Sequence, residues 1–505
     1  MDYLMDSVAI TNQDTIFGVI LAAGKGVRAY PATRDIPKVL LDIAGKTLIE
    51  RNLDLLVGKL GITDIIIVIG HYGDQIEDRI GDSFEGARIR YVRQANQKGI
   101  GHAVLAVEPL VGDSRFITIL GDELYIDSNH HELLDVIQRE PSVDAVLMFK
   151  HEDDPAKISN NYTPTLDGDR VMGLIEKPVN PLGNIMGLGT YLLNAKVFDY
   201  IRNTRPSTLR DEVEITDALS NMAQKENVKM LMSTGKYLNV NTTDDRNLAN
   251  YSIRDRGFGQ YKISVVVPAY NEEGSIASVV KEYLALSCVG EVLVVDNNSS
   301  DKTAEKALNA GARVVQEHEQ GYGCALRRGL DDATGDIVIL TEADGSFSPA
   351  DVPKFLEYLK DCDMVLGTRT TRQMIEQGAN MNVISRLVNI LFGKIIELLW
   401  WDSEPRFTDV GCTYRAIWKT SYDKIRPYVR SHGPAYSPDM TIAVLNCKLR
   451  VIEIPVTYRM RRSGDSSHSA NAYQLARTAF QMATVIAHRR LFYSRLNLGR
   501  LKNKV

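Results

Sequence analysis

The sequence predicts an α/β protein of two domains, each built around a mixed, mostly parallel β-sheet. The chain has 505 residues, which is more than one hydrophobic core normally serves. At two places, 15–26 and 262–274, an apolar run leads into a turn, as TIFGVILAAGKG and KISVVVPAYNEEG. After each of them, short β-branched runs alternate with helical patterns. Such alternation is typical of parallel strands covered by helices on both faces.

A polar stretch between the two halves predicts the domain boundaries. Residues 251–261 lie in the charged, glycine-containing sequence YSIRDRGFGQYK and are predicted as a linker. The first domain then covers 15–250 and the second covers 262–465. Residues 466–505 are predicted as a basic, amphipathic C-terminal tail.

Apolar runs of four to seven residues mark the predicted strands. They are 64–70, 87–92, 116–120 and 144–149 in the first half, and 291–296, 312–315, 336–340 and 363–367 in the second. Ligands of parallel sheets bind beyond the carboxyl ends of the strands. The candidate ligand-binding residues at such ends are Gly24, Asp122, Asp296, Glu342 and Asp344.

Composition excludes several classes of protein. The formal net charge of −5 gives no support to a general nucleic-acid binder. No run reaches the ~18 uncharged apolar residues of a membrane span, and the acidic N-terminus is not that of a signal peptide. The five cysteines are odd in number and widely spaced, which favours reduced thiols over a disulfide framework or a zinc cluster. We therefore expect a cytoplasmic protein.

A glycine-rich loop follows the first predicted strand, within 21–50. Gly24 and Gly26 allow the backbone to approach a ligand closely and to direct N–H groups at it. Three nearby cationic residues make the loop suitable for a triphosphate: Lys25, Arg28 and Lys38. A Walker A motif is excluded because Leu40 stands where its leading glycine belongs, and the third glycine of a dinucleotide-binding motif is missing. Taken alone, the glycine pair also fits a tight turn with solvated lysines.

The longer string resembles the signature of sugar-1-phosphate nucleotidylyltransferases. It reads LAAGKGVRAYPATRDIPKVLLDIAGKTLIE, and later segments match in order: Gln94 with KGIGHAVLAVEPLVGDSRFITILGD, LIEKP (174–178) and DEVEITDAL (211–219). The likeness covers most of 15–250 and is strongest to bacterial UTP–glucose-1-phosphate uridylyltransferases. It implies UTP and a hexose-1-phosphate as substrates and a UDP-sugar as product.

The resemblance implies a role for each matching residue. Nucleotide contacts fall to Leu21, Ala22, Ala23, Gly24, Gln94, Gly99 and Gly121. Arg28 and Lys38 would bind the triphosphate and the leaving pyrophosphate, and Asp122 would bind Mg²⁺. Glu176 and Lys177 would contact the sugar and its phosphate. Cations are needed because two polyanions must meet when the sugar phosphate attacks the α-phosphorus.

This sequence departs from the family pattern in two places. Where the family has a second metal-binding aspartate, YLNVNTTDD (237–245) offers Asn239 or Asn241, whose amide oxygen still binds Mg²⁺ with less charge. A glycine that often precedes the sugar-binding segment is replaced within 159–168, which leaves the sugar open.

The second half resembles family 2 glycosyltransferases over about 262–465. The matching segments are VVVPAYNEEGSI (265–276), VVDNNSSDKT (294–303), GYGCALRRGL (321–330), TEADGSFSPAD (341–351) and DVGCTYRAIWK (409–419). Their order is most similar to the branch that contains dolichyl-phosphate mannose and glucose synthases. Together the two resemblances imply two Rossmann-like domains, a nucleotidylyltransferase fold followed by a GT-A glycosyltransferase fold.

In this second domain the resemblance also implies site residues. Those that would line the nucleotide are Pro268, Tyr270, Glu272 and Asp296. Glu342 and Asp344 stand where the family has its Asp-x-Asp motif, and residues i and i+2 of an extended segment point the same way. They would hold Mg²⁺ or Mn²⁺ against the diphosphate and stabilise the departing UDP. The alternative is a pair of solvated loop acids.

Several further residues are predicted to serve the acceptor. Arg369 would contact the nucleotide phosphates or the acceptor. The other arginines predicted to meet an anionic acceptor are Arg415, Arg459, Arg461 and Arg462. Each of them is also explained as a surface ion-pair partner. Asp439 is predicted as an acceptor-side base, although a phosphate acceptor is already a nucleophilic anion.

Two segments suggest a membrane surface. The stretch 383–401 has an apolar helical face with charged residues opposite, and 471–505 contains basic residues without any Asp or Glu. A core-packing helix or a homo-oligomer interface with a solvated tail explains the same patterns. The resemblance to dolichyl-phosphate sugar synthases implies a lipid-phosphate acceptor, which lies in a bilayer. It therefore favours the cytoplasmic membrane face as the place where this protein acts.

The prediction is therefore a bifunctional enzyme that makes a UDP-hexose, with UDP-glucose favoured, and transfers the hexose to a polyprenyl phosphate. Two alternatives stay open. In the first alternative, the transferase acts on a soluble glycan or protein. In the second, the first half is a sugar-nucleotide sensor or scaffold without catalysis.

Overall fold

A computed structural model describes residues 15–24, 26, 33–94, 98–181, 183–206, 212–379, 383–403, 405–462 and 472–502. The chain divides into two compact units, Met1–Ala249 and Asn250–Val505. Arg28 and Lys25 of the predicted phosphate loop lie outside the described residues.

The strands of the first unit are β1 (Phe17–Ala22), β2 (Asp42–Ile43), β3 (Lys46–Thr47), β4 (Asp64–Ile69), β5 (Ser83–Phe84), β6 (Ala87–Arg93), β7 (Phe116–Leu120), β8 (Glu123–Ile126), β9 (Ala145–His151), β10 (Tyr162–Asp167), β11 (Arg170–Glu176), β12 (Ile185–Leu193), β13 (Val228–Met232) and β14 (Lys236–Asn239). Its helices are α1 (Leu48–Leu53), α2 (Gly73–Ile80), α3 (Ile100–Leu105), α4 (Glu108–Val111), α5 (Glu132–Arg139), α6 (Pro155–Ser159), α7 (Lys196–Asn203), α8 (Ile215–Ala223) and α9 (Thr243–Asp255).

Within the described residues, ten of these strands form one mixed sheet in the order β10-β11-β13-β9-β12-β7-β1-β4-β6-β5. The central strand β1 runs parallel to both neighbours, β4 and β7. Its residues Val19 and Ile20 are fully buried, as expected for a strand with helices on both faces. The glycine-rich loop and the turn after β7 therefore meet at one edge of the sheet. β8 and β14 form a separate antiparallel pair beside that edge.

The strands of the second unit are β15 (Ile263–Ala269), β16 (Glu291–Asp296), β17 (Arg313–Gln316), β18 (Ile337–Leu340), β19 (Met364–Thr368), β20 (Arg415–Trp418) and β21 (Val451–Pro455). Its helices are α10 (Ile276–Leu284), α11 (Thr303–Asn309), α12 (Tyr322–Asp332), α13 (Val352–Leu359), α14 (Val383–Leu399), α15 (Lys419–Ile425), α16 (Tyr436–Asn446) and α17 (Ala472–Lys502).

In the described part of this unit, seven strands pair in the order β17-β16-β15-β18-β20-β19-β21. β15 is parallel to β16 and β18, and β20 is antiparallel to both of its neighbours. The carboxyl ends of β15, β16 and β18 consequently lie side by side. The mixed, mostly parallel α/β fold predicted for both halves is confirmed.

Two segments outside the predicted domains are helical. Helix α9 continues through Asp255, within the segment predicted as a linker, and its Arg254 forms a buried ion pair with Asp363, with Nη2 and Oδ1 2.6 Å apart. Helix α17 occupies much of the predicted tail. It buries Met482 and Ile486 in the core of the second unit, so that part of the tail is a packed element.

Candidate active sites

The first candidate site lies around Lys38, past the ends of β1 and β7. The Lys38 ammonium group donates to Asp122 Oδ2 at 2.7 Å and to Asn241 Oδ1 at 2.8 Å. The Asn241 amide in turn donates to Asn239 Oδ1 at 2.7 Å. The Lys38 ammonium group is thus held by one carboxylate oxygen and one amide oxygen. The three residues come from distant parts of the chain. Lys38, predicted to bind the triphosphate, and Asp122, predicted to bind Mg²⁺, are brought together.

The backbone of this site depends on close approaches. Gly26 has φ of +63°, and a Cβ added there would lie 2.9 Å from Lys38 Cβ. Gly121 donates its N–H to Leu21 O at 3.0 Å, and a Cβ added at Gly121 would lie 2.8 Å from that oxygen. These approaches place the predicted nucleotide-binding backbone of 21–24 directly against the turn that carries Asp122.

Gln94 and Gly99, predicted to meet the nucleotide base, are also brought together. Gln94 is buried, and its Nε2 lies 3.3 Å from Gly99 O and 3.0 Å from His102 Nδ1. Its backbone N–H donates to Ile69 O, which continues the pairing of β6 with β4 by one residue.

Glu176 and Lys177 lie at the end of β11. Glu176 Oε2 accepts from Thr216 Oγ1 at 3.0 Å, and Lys177 Nζ lies 3.3 Å from Glu176 Oε1. Lys177 has φ of +45°, an unusual conformation for a residue with a long side chain. Such strain is found more often at functional positions.

Glu123 is a site residue that the sequence reasoning missed. Its buried carboxylate accepts from Tyr125 Oη at 2.6 Å, Tyr237 Oη at 2.8 Å and Gly189 N at 2.9 Å. Burial, together with the charge of Asp122, raises the pKa of Glu123 to about 7. The sequence shows Glu123 in the triplet GDE (121–123), but Gly189 and Tyr237, two of the residues that surround it, lie far along the chain. Because β8 pairs with β14, with Glu123 opposite Asn239, this network holds Asp122 and Asn239 in fixed register.

The oxygen donors here suit Mg²⁺, which prefers carboxylate and carbonyl ligands. Asp122 supplies the charged oxygen, and Asn241 and Asn239 supply amide oxygens. Of the two asparagines, Asn241 contacts the Lys38 ammonium directly, whereas the predicted ligand Asn239 lies one hydrogen bond further out.

The second candidate site lies past β15, β16 and β18 in the other unit. Pro268 is buried near the end of β15 and Tyr270 follows with its side chain exposed. The loops after β15 and β16 are linked because Ser300 N donates to Asn271 Oδ1 at 2.8 Å. Asp296 is buried and accepts from Ser299 N at 3.3 Å. The predicted nucleotide residues therefore share one edge of the sheet.

Glu342 and Asp344 form the acidic centre of this site. Asp344 is buried and lies 3.0 Å from Arg461 Nε through its Oδ2. Glu342 Oε1 accepts from Thr413 Oγ1 at 3.0 Å. Burial and the charge of Asp344 raise the pKa of Glu342 to about 7.

Glu272 faces the same centre, since burial and then the charge of Asp344 raise its pKa. The charge of Asp344 contributes to the raised pKa of both Glu342 and Glu272, and a shared cation would relieve this repulsion, so these oxygens fit a divalent metal. Arg461, one of the arginines predicted for the acceptor, already balances part of the charge.

The other predicted arginines have different surroundings. Arg369 makes a two-point ion pair with Asp409, with Nε–Oδ2 at 2.8 Å and Nη2–Oδ1 at 2.9 Å. Arg459 Nη2 donates to Ser348 Oγ at 2.9 Å, and Arg462 Nη1 donates to Ser278 Oγ at 2.8 Å.

The structure differs from the prediction at Arg415 and Asp439. Arg415 is 1% exposed, because it begins the interior strand β20, and its guanidinium donates to Ser437 O at 3.0 Å and to other interior acceptors. Asp439 is also buried and pairs with Arg489 Nε of α17 at 2.6 Å. Neither side chain is available to a ligand, so the predicted ligand contact and acceptor-side base are corrected to structural roles.

Helix α14 presents part of its apolar face to the outside of the second unit. Phe392 and Ile396 are buried, whereas Leu387, Leu391 and Leu398 are 58–75% exposed. Among the helices of the described residues, none combines the length and apolarity needed to cross a membrane.

Comparisons with known proteins match both halves of the chain to families. Residues 17–250 match the family model for nucleotidyl transferases, and residues 264–417 match the model for glycosyl transferase family 2. The chain is 30% identical over 240 residues to the UTP–glucose-1-phosphate uridylyltransferase AglF of Haloferax volcanii, covering 47% of this chain and 96% of that protein.

Two further matches cover the same half. A UTP–glucose-1-phosphate uridylyltransferase of Salmonella typhimurium is 29% identical over 254 residues, covering 43% of this chain and 85% of that protein. A solved UDP-glucose pyrophosphorylase complexed with UDP-glucose shares 26% identity with a TM-score of 0.44, covering 48% of this chain and 99% of that one. Through residues 17–250 the chain belongs to the nucleotidyl transferase family, and it joins to that domain, over residues 264–417, a glycosyl transferase family 2 domain.

Proposed function

We propose that this chain makes a UDP-hexose and then uses it. The first unit joins UTP to a hexose-1-phosphate, with glucose-1-phosphate as the favoured substrate. The second unit transfers the hexose from UDP to a polyprenyl phosphate at the cytoplasmic membrane face. One observation supports the proposal most directly. In each unit, acidic and basic side chains meet past the carboxyl ends of the parallel strands.

In the first unit, Lys38 supports nucleotidyl transfer. An oxygen of the sugar phosphate attacks the α-phosphorus of UTP, and the bond from that phosphorus to pyrophosphate breaks. Lys38 is buried and held by Asp122 and Asn241, so its charge is fixed close to the loop that would carry the phosphates. A fixed cation in a dry site stabilises the charge that develops on the leaving group. Mg²⁺ bound by Asp122 with Asn241 or Asn239 would supply further positive charge.

The names of the relatives support the choice of substrates. Proteins that cover the same half are called UTP–glucose-1-phosphate uridylyltransferases, in Haloferax volcanii and in Salmonella typhimurium. Gln94, held between Gly99 and His102, offers a side-chain amide for the uracil edge.

In the second unit, Glu342, Asp344 and Arg461 support glycosyl transfer. A new bond forms between C1 of the hexose and an acceptor oxygen while the bond from C1 to UDP breaks. The departing UDP gains negative charge, and Arg461, which lies 3.0 Å from Asp344, is a cation at this acidic centre that would help to offset it. Mg²⁺ or Mn²⁺ bound by the two carboxylates would serve the same purpose. No general base is required, since a phosphate acceptor is already anionic.

The exposed leucines of α14 favour a lipid acceptor over a soluble one. Exposed apolar patches of this kind mark sites of membrane or protein contact. Arg459 and Arg462 both form ion pairs with Glu282, so the group of three side chains keeps one net positive charge, which suits a phosphate head group and an anionic membrane surface.

Reconstitution tests the complete proposal. We expect the purified chain, given UTP, glucose-1-phosphate, Mg²⁺ and polyprenyl phosphate, to release pyrophosphate and UDP and to form a lipid-linked hexose. Asp122→Asn should abolish pyrophosphate release but leave transfer from added UDP-glucose. Asp344→Asn should do the opposite.

Each alternative has its own signature in the same assay. Pyrophosphate release without sugar transfer to any lipid phosphate, combined with transfer to a soluble glycan or protein, would assign the second unit a soluble acceptor. Pyrophosphate release that survives Asp122→Asn would point to a sugar-nucleotide sensor accompanied by contaminating activity.

A further inference from the structure

Glu319, Cys324 and His432 converge in the second unit, and the reactions proposed above use none of the three. Cys324 lies in the first turn of α12, Glu319 lies in the loop before that helix, and His432 comes from a loop more than one hundred residues later. One ligand atom from each, a thiol sulfur, a ring nitrogen and a carboxylate oxygen, lies within 4.8 Å of the other two.

The distances suit a tetrahedral metal. Cys324 Sγ lies 3.5 Å from His432 Nδ1. Zinc bonds of about 2.3 Å to sulfur and about 2.0 Å to nitrogen at a tetrahedral angle require a sulfur–nitrogen separation of about 3.5 Å. His432 Nδ1 also lies 2.6 Å from Glu319 Oε1, and both of those side chains are more than half exposed, so the oxygen has room to move to a ligand position.

The two loops are held in place by buried side chains. Asn297 accepts from Gly321 N at 2.8 Å and donates to Glu319 O at 2.8 Å. Asp439 accepts from Ser431 N at 3.0 Å. Preorganised loops favour a specific site over a chance encounter of side chains.

Glycine allows the two loops to touch. Gly323 donates its N–H to His432 O at 2.7 Å, and a Cβ at Gly323 would come within 2.3 Å of Ser431 O. The helix start that carries Cys324 is therefore packed directly against the loop that carries His432.

The three ligand atoms surround one position, which suits a cation. Cys324 Sγ and Glu319 Oε1 both approach the same atom, His432 Nδ1, at 3.5 Å and 2.6 Å. A metal ion accepts lone pairs from all three atoms at once. Sulfur and imidazole nitrogen select zinc-type ions, whereas the Mg²⁺ expected elsewhere in the chain prefers oxygen alone.

We propose that Glu319, Cys324 and His432 form a binding site for Zn²⁺ or a similar transition-metal ion, with a fourth position open to water. Cys324 binds as the thiolate, and its proton passes to solvent on metal binding. The ion cross-links the loop 317–321, anchored by Asn297 beside Asp296, to the loop 430–433. The widely spaced cysteines gave no sign of this site, because one thiol combines with two residues of other types.

Cobalt substitution tests this proposal without any enzyme assay. The full chain, freed of metals by a chelator and returned to excess Mg²⁺, is titrated with Co²⁺. We expect the charge-transfer absorption of a Co²⁺–thiolate bond to saturate at one equivalent and to disappear when Zn²⁺ is added. Excess Mg²⁺ occupies the oxygen-only sites, and the thiolate band reports cysteine ligation alone.

Matched variants identify the ligands. Cys324→Ser should abolish the band, and His432→Gln should weaken Co²⁺ binding by more than about 100-fold, since even outer partners of metal ligands are worth 10–100-fold. Cys288→Ser removes an exposed thiol, and His318→Gln removes an exposed imidazole from the same loop as Glu319; both should leave the titration unchanged. Hydrogen exchange should show Zn²⁺ protecting 317–321 and 430–433 together.

Three results would overturn the site. These are the absence of a thiolate band in the unaltered chain, a band that persists in Cys324→Ser, and a band lost in Cys288→Ser. Zn²⁺ binding without protection of both loops would contradict the cross-link. Circular dichroism of each variant checks that a lost band does not reflect unfolding.

Discussion

At the scale of single residues, Lys38 should control the first reaction. Its ammonium group is the cation that Asp122 and Asn241 share, and Met at this position keeps the length of the side chain without the charge. We expect Lys38→Met to lower the turnover for pyrophosphate release by about 10²–10³-fold, the usual effect of removing one charge-stabilising group. Lys46→Met is the control, because Lys46 is exposed and pairs with Asp54. Equal losses in both variants, or a parallel loss of transfer from added UDP-glucose, would contradict the assignment.

His130 predicts a pH dependence of stability in the first unit. Burial, helped by the charge of Lys59, lowers the pKa of His130 to about 3, and its Nε2 is buried without a hydrogen-bond partner. The unfolded chain binds this proton near pH 6.5, so the folded state loses stability as the pH falls from 6.5 towards 3 and keeps it above 6.5. At pH 5 the loss is about 2 kcal/mol.

Hydrogen-exchange protection factors of β8 measure this effect, because they correct for the intrinsic pH dependence of exchange. Between pH 8 and pH 5 they should fall in the unaltered chain and change less in His130→Gln. His131→Gln, the adjacent imidazole, should behave like the unaltered chain. The same slope in all three proteins would show that His130 does not titrate as described.

Sequence reasoning was more informative for residues that directly follow apolar strands than for residues inside buried elements, for a physical reason. Asp122, Glu342 and Asp344 follow apolar strands directly, and the end of a strand in a parallel sheet has a known position. The side chains of Arg415 and Asp439 belong to a strand and a helix that are buried all round, so periodicity could not show whether they face a ligand. Glu123 and the cluster at Cys324 depend on partners far along the chain, which no local pattern reveals.

At the scale of elements, α14 should anchor the second unit to lipid. Leu387, Leu391 and Leu398 are exposed on this helix, and burying each leucine in a bilayer is worth about 1.5–3 kcal/mol. Changing all three residues to Glu should weaken binding to vesicles that contain anionic lipid at least tenfold, as measured by sedimentation. Transfer to a lipid acceptor should fall with it, while pyrophosphate release stays unchanged.

The control for this helix is Leu308→Glu. Leu308 lies on α11 and is 63% exposed, so the variant adds a charge at an equally accessible apolar position of the same unit. Vesicle binding that persists in the α14 variant, or that Leu308→Glu abolishes equally, would contradict anchoring. A change in oligomeric state in the α14 variant alone would assign this face to a contact between copies of the chain.

At the scale of the whole molecule, the family matches and the two compact units divide the chain in the same way. Each unit has its own sheet, with acidic and cationic groups past the ends of its strands. The alternation of strands and helices was enough to predict both sheets. The antiparallel strands β12 and β20 were not predicted as strands, because two glycines interrupt the apolar run of β12 and β20 has only four residues and begins with an arginine.

This division predicts that the two reactions can be separated and recombined. Asp122→Asn should block the first step and Asp344→Asn the second, so neither variant alone should convert UTP, glucose-1-phosphate and polyprenyl phosphate into lipid-linked hexose. Since the UDP-sugar is a stable, soluble intermediate, an equimolar mixture of the two variants should recover the complete reaction after a lag. The lag should shorten as the concentration of both variants rises, because the intermediate must reach a second molecule. Direct transfer within one chain would instead give a mixture that stays inactive while each variant retains its single remaining step.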